Sequence, residues 1–494
     1  MKKEWKFISF DLGAESGRCI VVRFRNGKIN LEQVHRFTTT TIRTAKEFHW
    51  DILAVFEEIV FGLSKSADMF GPDFDGIAID TWGVDYALID SSGNLLGLPF
   101  HYRDDRTDGL VEKAFGILPK ETLYSVTGNQ PAQYNTLFQL LAEKEKKPGL
   151  LSTANKLLLT PDFLTFLLTG NKTTEYTIAS TTNLTNPVTR NWDWNLIDRF
   201  GLPATIFPNI VEPGNVSGYL HKLIAERTGL SLTIPVISTA EHDTASAVAA
   251  IPANCNNWAF LSSGTWSLMG VELDRPILNA TALNYGFTNE GGVNKTARFL
   301  KNIIGLWPIQ ECRRSWLTED ENYSYSELAI LADKEGPVNV WIDLNDSRFL
   351  KQGNMPQKVC AFLAETDQIV KNEPGFIIRT VLESLAFLYR KTLLQIEELT
   401  GKKIDVLHIV GGGIQNELLT QFTADATGKT VIAGPIEGAV AGNAGVQAIT
   451  AGAAPDIHAW RQIVANSFEL KTYTPRDTKY YDDNESNYNK ILKT

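Results

Sequence analysis

Near the start of the chain an aspartate and an arginine bracket a small-residue turn: Asp11-Leu12-Gly13-Ala14-Glu15-Ser16-Gly17-Arg18. Apolar runs flank it, so the segment reads as two β-strands joined by a Gly-bearing turn. A plain hairpin needs neither charge. Turns of glycine and small hydroxyl residues leave backbone N–H groups uncovered, and such groups cradle phosphate oxygens. Arg18 adds fixed positive charge. Asp11, at a strand end, suits Mg2+, which prefers oxygen ligands and keeps several waters. The bland alternative is an ordinary hairpin with a surface ion pair. A second turn of this kind, Ser262-Ser263-Gly264-Thr265, again lies between apolar runs. Two such hairpins, each opening one half of the chain, weigh toward a ligand.

Three further stretches could carry chemistry. Asp243, between His242 and Thr244, opens a small-residue helix, where it serves either as an N-cap or as a general base aimed at a substrate hydroxyl. Gly411-Gly412-Gly413 separates a buried-type strand from a helix. Such glycines allow either a shelf for an adenine or ribose or a tight contact between the helix and the strand. Gly83, in "DTWGVDY", marks either a ligand approach or an edge bulge. The charge-dense "YRDDRTDG" (102–109) reads as a paired, structural loop.

Other chemistries are excluded on spacing. The glycine triplet is not GxGxxG, and "ATGKT" (426–430) has Thr423 where a P-loop needs glycine. There is no GxSxG elbow for a Ser-His-Asp hydrolase, and the seven histidines never pair at metal-ligand spacing.

The elements that must hold these residues alternate. Residues 28–37 and 75–96 read as β-runs, and the helical spacing between them starts near Asp51. From about 108 to 235 the pattern is more helical and punctuated by prolines. A strand at 235–239 then leads into the Asp243 helix, which stops at Pro252. After the polar connector 254–257 the second half repeats the opening device. It continues with a long amphipathic helix, a β-turn-α unit, a strand and a small-residue helix. The reading is an α/β fold with duplicated architecture, divided into domains 1–252 and 253–494.

At 494 residues the chain exceeds the roughly 250–300 at which one core stops growing, so two domains are expected. A net charge of −10 argues against nucleic acid or an anionic membrane as main partner, but leaves room for a local phosphate pocket. Cys19, Cys255, Cys312 and Cys360 are far apart with no CxxC spacing, which fits a reducing, cytoplasmic setting. The first residues lack the apolar core of a signal peptide, and no run reaches the roughly 18 apolar residues of a membrane span. Oligomeric state is not legible.

Taken together, "DLGAESGR", "IDTWGVDY", "YRDDRTDG", "EHDTASAV", "LSSGTWSLMG", "TNEGG", "LKNIIGLWPIQ" and "LHIVGGGIQN" resemble, in order, the FGGY family of carbohydrate kinases. The resemblance runs from the first strand to about residue 445. It implies the actin-like, hexokinase-like ATPase fold: two ribonuclease H-like domains around a cleft. The first domain would bind sugar and carry the phosphate hairpin, and the second would bind nucleotide. Asp243 would accept the proton of the sugar's 1-hydroxyl, with Gly83, His242, Thr244 and Asn302 lining the sugar. Ala14, Glu15, Ser16, Gly17, Arg18 and Thr265 would hold ATP phosphates, Gln310 and Gly411, Gly412 and Gly413 the nucleoside, and Asp11 the Mg2+ hydration shell. Glu15 departs from the family, which has Ser or Thr there. Repulsion from phosphate predicts that its side chain turns away, toward Arg18. The implied activity is ATP-dependent phosphorylation of a 6-deoxyketohexose at O1, L-rhamnulose before L-fuculose or another ketose or polyol. The rival from another class is an ATP-binding, actin-like sensor without turnover. The partners implied are a small sugar and ATP, with neither nucleic acid nor membrane.

Overall fold

The computed structural model describes residues 4–318 and 321–492. Strands β1 (Trp5–Leu12) and β2 (Ser16–Arg25) form the expected antiparallel hairpin, in a register that sets Asp11 opposite Arg18. Strand β3 (Lys28–Thr38) pairs with β2. Helix α1 (Ile52–Phe70) follows, and the Asp51 carboxylate caps it by accepting the Ala54 N–H at 3.2 Å. The helix buries Ile52, Val55, Ile59 and Leu63 in the core that also holds Ile8, Phe10 and Val21. It is the crossover that lets β4 (Gly76–Thr81) lie parallel to β1, with Asp80 in register with Asp11. Strands β5 (Asn215–Tyr219) and β6 (Pro235–Ser238) complete a sheet ordered β5-β6-β4-β1-β2-β3.

Every residue of β4 is buried, as are the last six of β1. That is the pattern of parallel strands covered on both faces. The two acids are thus carried to the carboxyl ends of neighbouring buried strands, where α/β sheets bind ligands.

The second sheet repeats the scheme. Strands β7 (Trp258–Ser263) and β8 (Trp266–Leu273) are an antiparallel hairpin. With β9 (Phe287–Gly291), β10 (Ala297–Ile304), β11 (Val406–Val410), β12 (Thr430–Ala433) and β13 (Lys471–Tyr473), the order is β9-β10-β8-β7-β11-β12-β13. Strand β11 lies parallel to β7 and β12 parallel to β11. In both sheets the hairpin's first strand is central, and the parallel strands build outward from its other side. The expected duplication is present.

Three expectations need correction. The strand expected through 75–96 breaks after Thr81, because Val84 adopts a positive φ of 72°, and residues 86–89 pair with 156–159 in a separate two-stranded sheet. In helix α2 (Asp243–Ala249) the N-cap is His242, and Asp243 is the first helical residue. The expected division at 252/253 is only the first break. Residues 272–299 and 438–467 belong with the N-terminal unit, and the second unit comprises 253–271, 300–437 and 468–494.

The reason for the return is helix α6 (Gly438–Thr450), reached after α3 (Trp307–Leu317), α4 (Pro374–Thr400) and α5 (Glu417–Thr427). Its small residues let it pack backbone to backbone on α2: a Cβ at Gly442 would fall 1.7 Å from the Ser246 carbonyl oxygen. Its Asn443 reaches Asp80 at 2.6 Å, and its Gln447 donates to Ser9 Oγ and the Ile8 carbonyl at 3.1 and 3.2 Å. Gly442→Ala is therefore expected to cost about 1–3 kcal/mol through overpacking and to lower turnover by shifting α2. Urea unfolding checks this; unchanged stability would mean that the two helices have slack.

Candidate functional site

In the N-terminal unit the Arg18 guanidinium and the Asp11 carboxylate form an ion pair across the hairpin. The expected alternative of an ion pair is thus realised, but not at the surface, because Asp11 is buried. The turn is closed by the Gly13 N–H donating to the Ser16 carbonyl at 3.0 Å, and Thr39 ties it down by donating to the Gly13 and Glu15 carbonyls. Glu15 is exposed on this turn.

Asp80 is an acid that the motif reading quoted but did not single out. It is fully buried beside Asp11; its Oδ2 accepts from Asn443, while its Oδ1 has no hydrogen-bond partner. Burial, and next the Asp11 charge, push its carboxyl well above the usual range, with Asp243 adding to them.

The end of β4 is joined to the segment leading into α2, since the Thr81 N–H donates to the Glu241 carbonyl at 2.9 Å. Asp243 Oδ1 accepts the Thr244 N–H at 2.5 Å and the Thr244 hydroxyl at 3.0 Å, and lies 3.5 Å from His242 Nε2. The Asp243 side chain remains 34% exposed. Behind it, His242 Nδ1 lies 3.1 Å from both Glu290 Oε2 and Arg298 Nη2. Burial opposes the charge on Glu290, yet Arg298, and then His242, hold its carboxyl below the usual range. Glu290 stood inside the quoted "TNEGG". Arg298 carried no local signal.

Gly83 lies in the turn after β4, where a Cβ would come within 3.0–3.2 Å of Thr181. The strained Val84 beside it is clamped. Its N–H donates to Thr181 Oγ1 at 3.1 Å and its carbonyl accepts the Thr136 hydroxyl at 2.6 Å. Such strain persists only where the surroundings enforce it. Asp85 supplies the rest by accepting from Trp50, Trp82 and Gln139 at 2.7, 3.0 and 2.9 Å.

In the second unit Gln310 Nε2 donates to Thr265 Oγ1 at 3.1 Å, and Gln310 Oε1 is a buried acceptor without a partner. The amides of Gly305 and Leu306 donate to the Thr265 and Gly264 carbonyls, at 3.1 and 2.9 Å, and hold this second turn. The glycine triplet divides its work. A Cβ at Gly413 would meet Ser263 Oγ at 2.1 Å and one at Gly411 the Ser263 carbonyl at 2.8 Å, whereas Gly412 faces open space. Two glycines serve the close strand contact, and one leaves room for a ligand. Asn302 is exposed on β10.

Among the described residues no three His, Cys, Asp or Glu side chains are arranged to hold a metal ion, and no helix is long and apolar enough to cross a membrane.

Comparisons with known proteins bear on the family and the fold. Family models described as the N-terminal and C-terminal domains of the FGGY family of carbohydrate kinases match residues 6–250 and 259–451. The chain is 43% identical to a rhamnulokinase from Bacteroides thetaiotaomicron over 96% of this chain and 97% of the relative. It is 39% identical to a rhamnulokinase from Bacillus subtilis, over 95% and 96% respectively. In fold it is similar to a gluconate kinase from Lactobacillus acidophilus, at a TM-score of 0.82 and 17% identity over 99% of this chain and 97% of that one. It is similar as well to a Plasmodium falciparum glycerol kinase with ADP, at 0.78 and 17% over 98% and 97%.

The Asp85 cluster gives a pH test. Burial pushes this carboxyl up to about 6, against the donors that face it. A raised folded value means that its contribution to stability is full below about pH 4 and is lost as pH rises through about 6, by up to about 3 kcal/mol. Asp85→Asn lacks this titration. Urea unfolding at pH 4 and pH 7 should therefore show the variant gaining on the wild type by that order; a gap independent of pH would count against it.

Proposed function

The chain belongs to the FGGY family of carbohydrate kinases, and we propose that it phosphorylates the 1-hydroxyl of a 6-deoxyketohexose, L-rhamnulose first, with ATP as donor. As a kinase of this family it transfers phosphate to a sugar hydroxyl. The sugar's identity is carried over from the relatives that bear the name rhamnulokinase.

The observation that supports the mechanism is the unequal use of the two Asp243 oxygens. Oδ1 is engaged by Thr244, which leaves Oδ2 on a partly exposed carboxylate for the substrate. The sugar O1–H gives its proton to Asp243 Oδ2 as O1 bonds to the γ-phosphorus. The bond from that phosphorus to the bridging oxygen breaks, and its electron pair leaves with ADP. Such a transfer needs alignment and charge stabilisation more than covalent help. Arg18 and the backbone of 14–17 would supply positive charge and donors to the phosphates. The Gly83 turn, His242, Thr244 and Asn302 would hold the sugar. Thr265 would reach a phosphate, and Gln310, with its unused acceptor, and Gly412 would receive the nucleoside.

A divalent cation such as Mg2+ would neutralise phosphate charge. The donor set suits it, because Asp11 offers hard carboxylate oxygen and Asp80 carries a bare oxygen beside it.

Asp243→Asn should lower kcat by about 10²–10⁴ while calorimetry finds ATP affinity changed by less than about threefold. Turnover equal to wild type would remove Asp243 as the base. A coupled ADP-release assay across L-rhamnulose, L-fuculose, L-xylulose and glycerol should rank L-rhamnulose first; a higher kcat/KM for another sugar would reassign the substrate.

A further inference from the structure

We propose that Glu290 and Arg298 are positioning residues for the base: they hold the His242 ring so that its Nε2 sits on Asp243 Oδ1, which reserves Oδ2 for the sugar's proton. The inference rests on Asp243 being the base.

Arg298 is one of the largest fully buried side chains of the protein, and Glu290 and His242 are buried with it. The guanidinium is fixed at three points. Nε donates to the Gly291 carbonyl at 2.7 Å, Nη2 donates to Glu290 Oε2 at 3.0 Å, and Nη2 lies 3.1 Å from His242 Nδ1. His242 Nδ1 lies 3.1 Å from both the donor Arg298 Nη2 and the acceptor Glu290 Oε2. A neutral ring that accepts from Nη2 carries its proton on Nε2, and a ring protonated on both nitrogens, donating to Glu290, carries one there too. In either form a proton on Nε2 faces Asp243 Oδ1 at 3.5 Å, whereas a neutral ring protonated only on Nδ1 would turn a lone pair on the carboxylate. Glu290 balances the charge. Oδ1 then faces three donors: the Thr244 amide, the Thr244 hydroxyl and His242 Nε2.

Stability does not explain this arrangement. A buried ion pair commonly contributes less than well-packed apolar residues of the same volume would. Here the pair also leaves Arg298 Nη1 buried without a partner, a further cost. Its geometry, by contrast, links two strands to the base. Glu290 lies on β9, Arg298 on β10, and the ring they grip is the N-cap of α2. A carboxylate in the first turn of a short helix gains from such an anchor, because a misplacement of about 1 Å can cost 10² in rate.

The test is steady-state kinetics with L-rhamnulose and ATP, alongside thermal unfolding. Replacing the pair together, Glu290→Leu with Arg298→Met, removes both charges without stranding either. We expect a folded protein whose Tm is equal or higher, kcat lower by about 10- to 100-fold, and KM for ATP within about twofold of wild type. His242→Gln alone should lower kcat to a similar extent and, because His242 is also placed against the sugar, raise the KM for L-rhamnulose as well. Adding it to the double variant should lower kcat little further, since on kcat all three act through the contact with Asp243. Full kcat in His242→Gln would overturn the proposal whether or not the paired variant folds. So would a loss in the triple variant equal to the product of the separate losses. Asp243→Asn separates the two readings: if it retains turnover the base assignment fails, and if it is dead while His242→Gln keeps full kcat, only the positioning role fails.

Discussion

Two carboxylates set side by side at the ends of neighbouring parallel strands repel each other, and much of the N-terminal unit is organised around that cost. The register of β1 and β4 makes Asp11 and Asp80 partners. Arg18 answers the first from across the hairpin, and Asn443 the second from more than 360 residues further along the chain. Asn443 can reach Asp80 only because α6 lies on α2 with no side chain at Gly442 in the way. The same contact fixes α2, the helix that carries Asp243. One electrostatic constraint thus ties together the β1–β2 hairpin, Asp243 and the helix that returns from the far end of the sequence.

Around that frame the protein spends stability on placement. Val84 is held in a left-handed conformation beside Gly83 by hydrogen bonds with the side chains of Thr181, Thr136 and Gln139. Asp85 is buried among indole and amide donors, and Glu290 and Arg298 are buried as a pair. None of these is an efficient way to build a core. Each fixes a group beside Asp243 or the turn after β4, where position matters more than stability.

Legibility in the sequence followed distance along the chain. Both hairpins could be read because a small-residue turn between apolar runs is a local pattern, and so could the alternation of strands and helices. The division of the chain was only half legible: the composition shift near 252 is real, but α6 takes its partners from residues 8–9, 80 and 246, which no local pattern reveals. The glycine triplet read as one feature and proved to be two. Arg298 was invisible, since an arginine within a strand usually marks a solvated face, and only its tertiary neighbours show it buried. Asp80 had a faint signal, an acid ending an apolar run just as Asp11 does.

The discontinuity of the first unit bears on how the protein is made. A ribosome delivers residues in order, and domains generally fold as units in that order. Here the first 252 residues emerge with β1, β4 and α2 in place, but Asp80 and the face of α2 around Ser246 must wait for residues 438–450. The first unit closes only when nearly the whole chain has been synthesised. A nascent or prematurely terminated chain would therefore carry the hairpin, Asp11 and Asp243 without the helix that seals them. The scaffold around Asp80 and α2 is completed by a helix made close to the end of synthesis, so a chain truncated before residue 438 lacks the contacts that hold it.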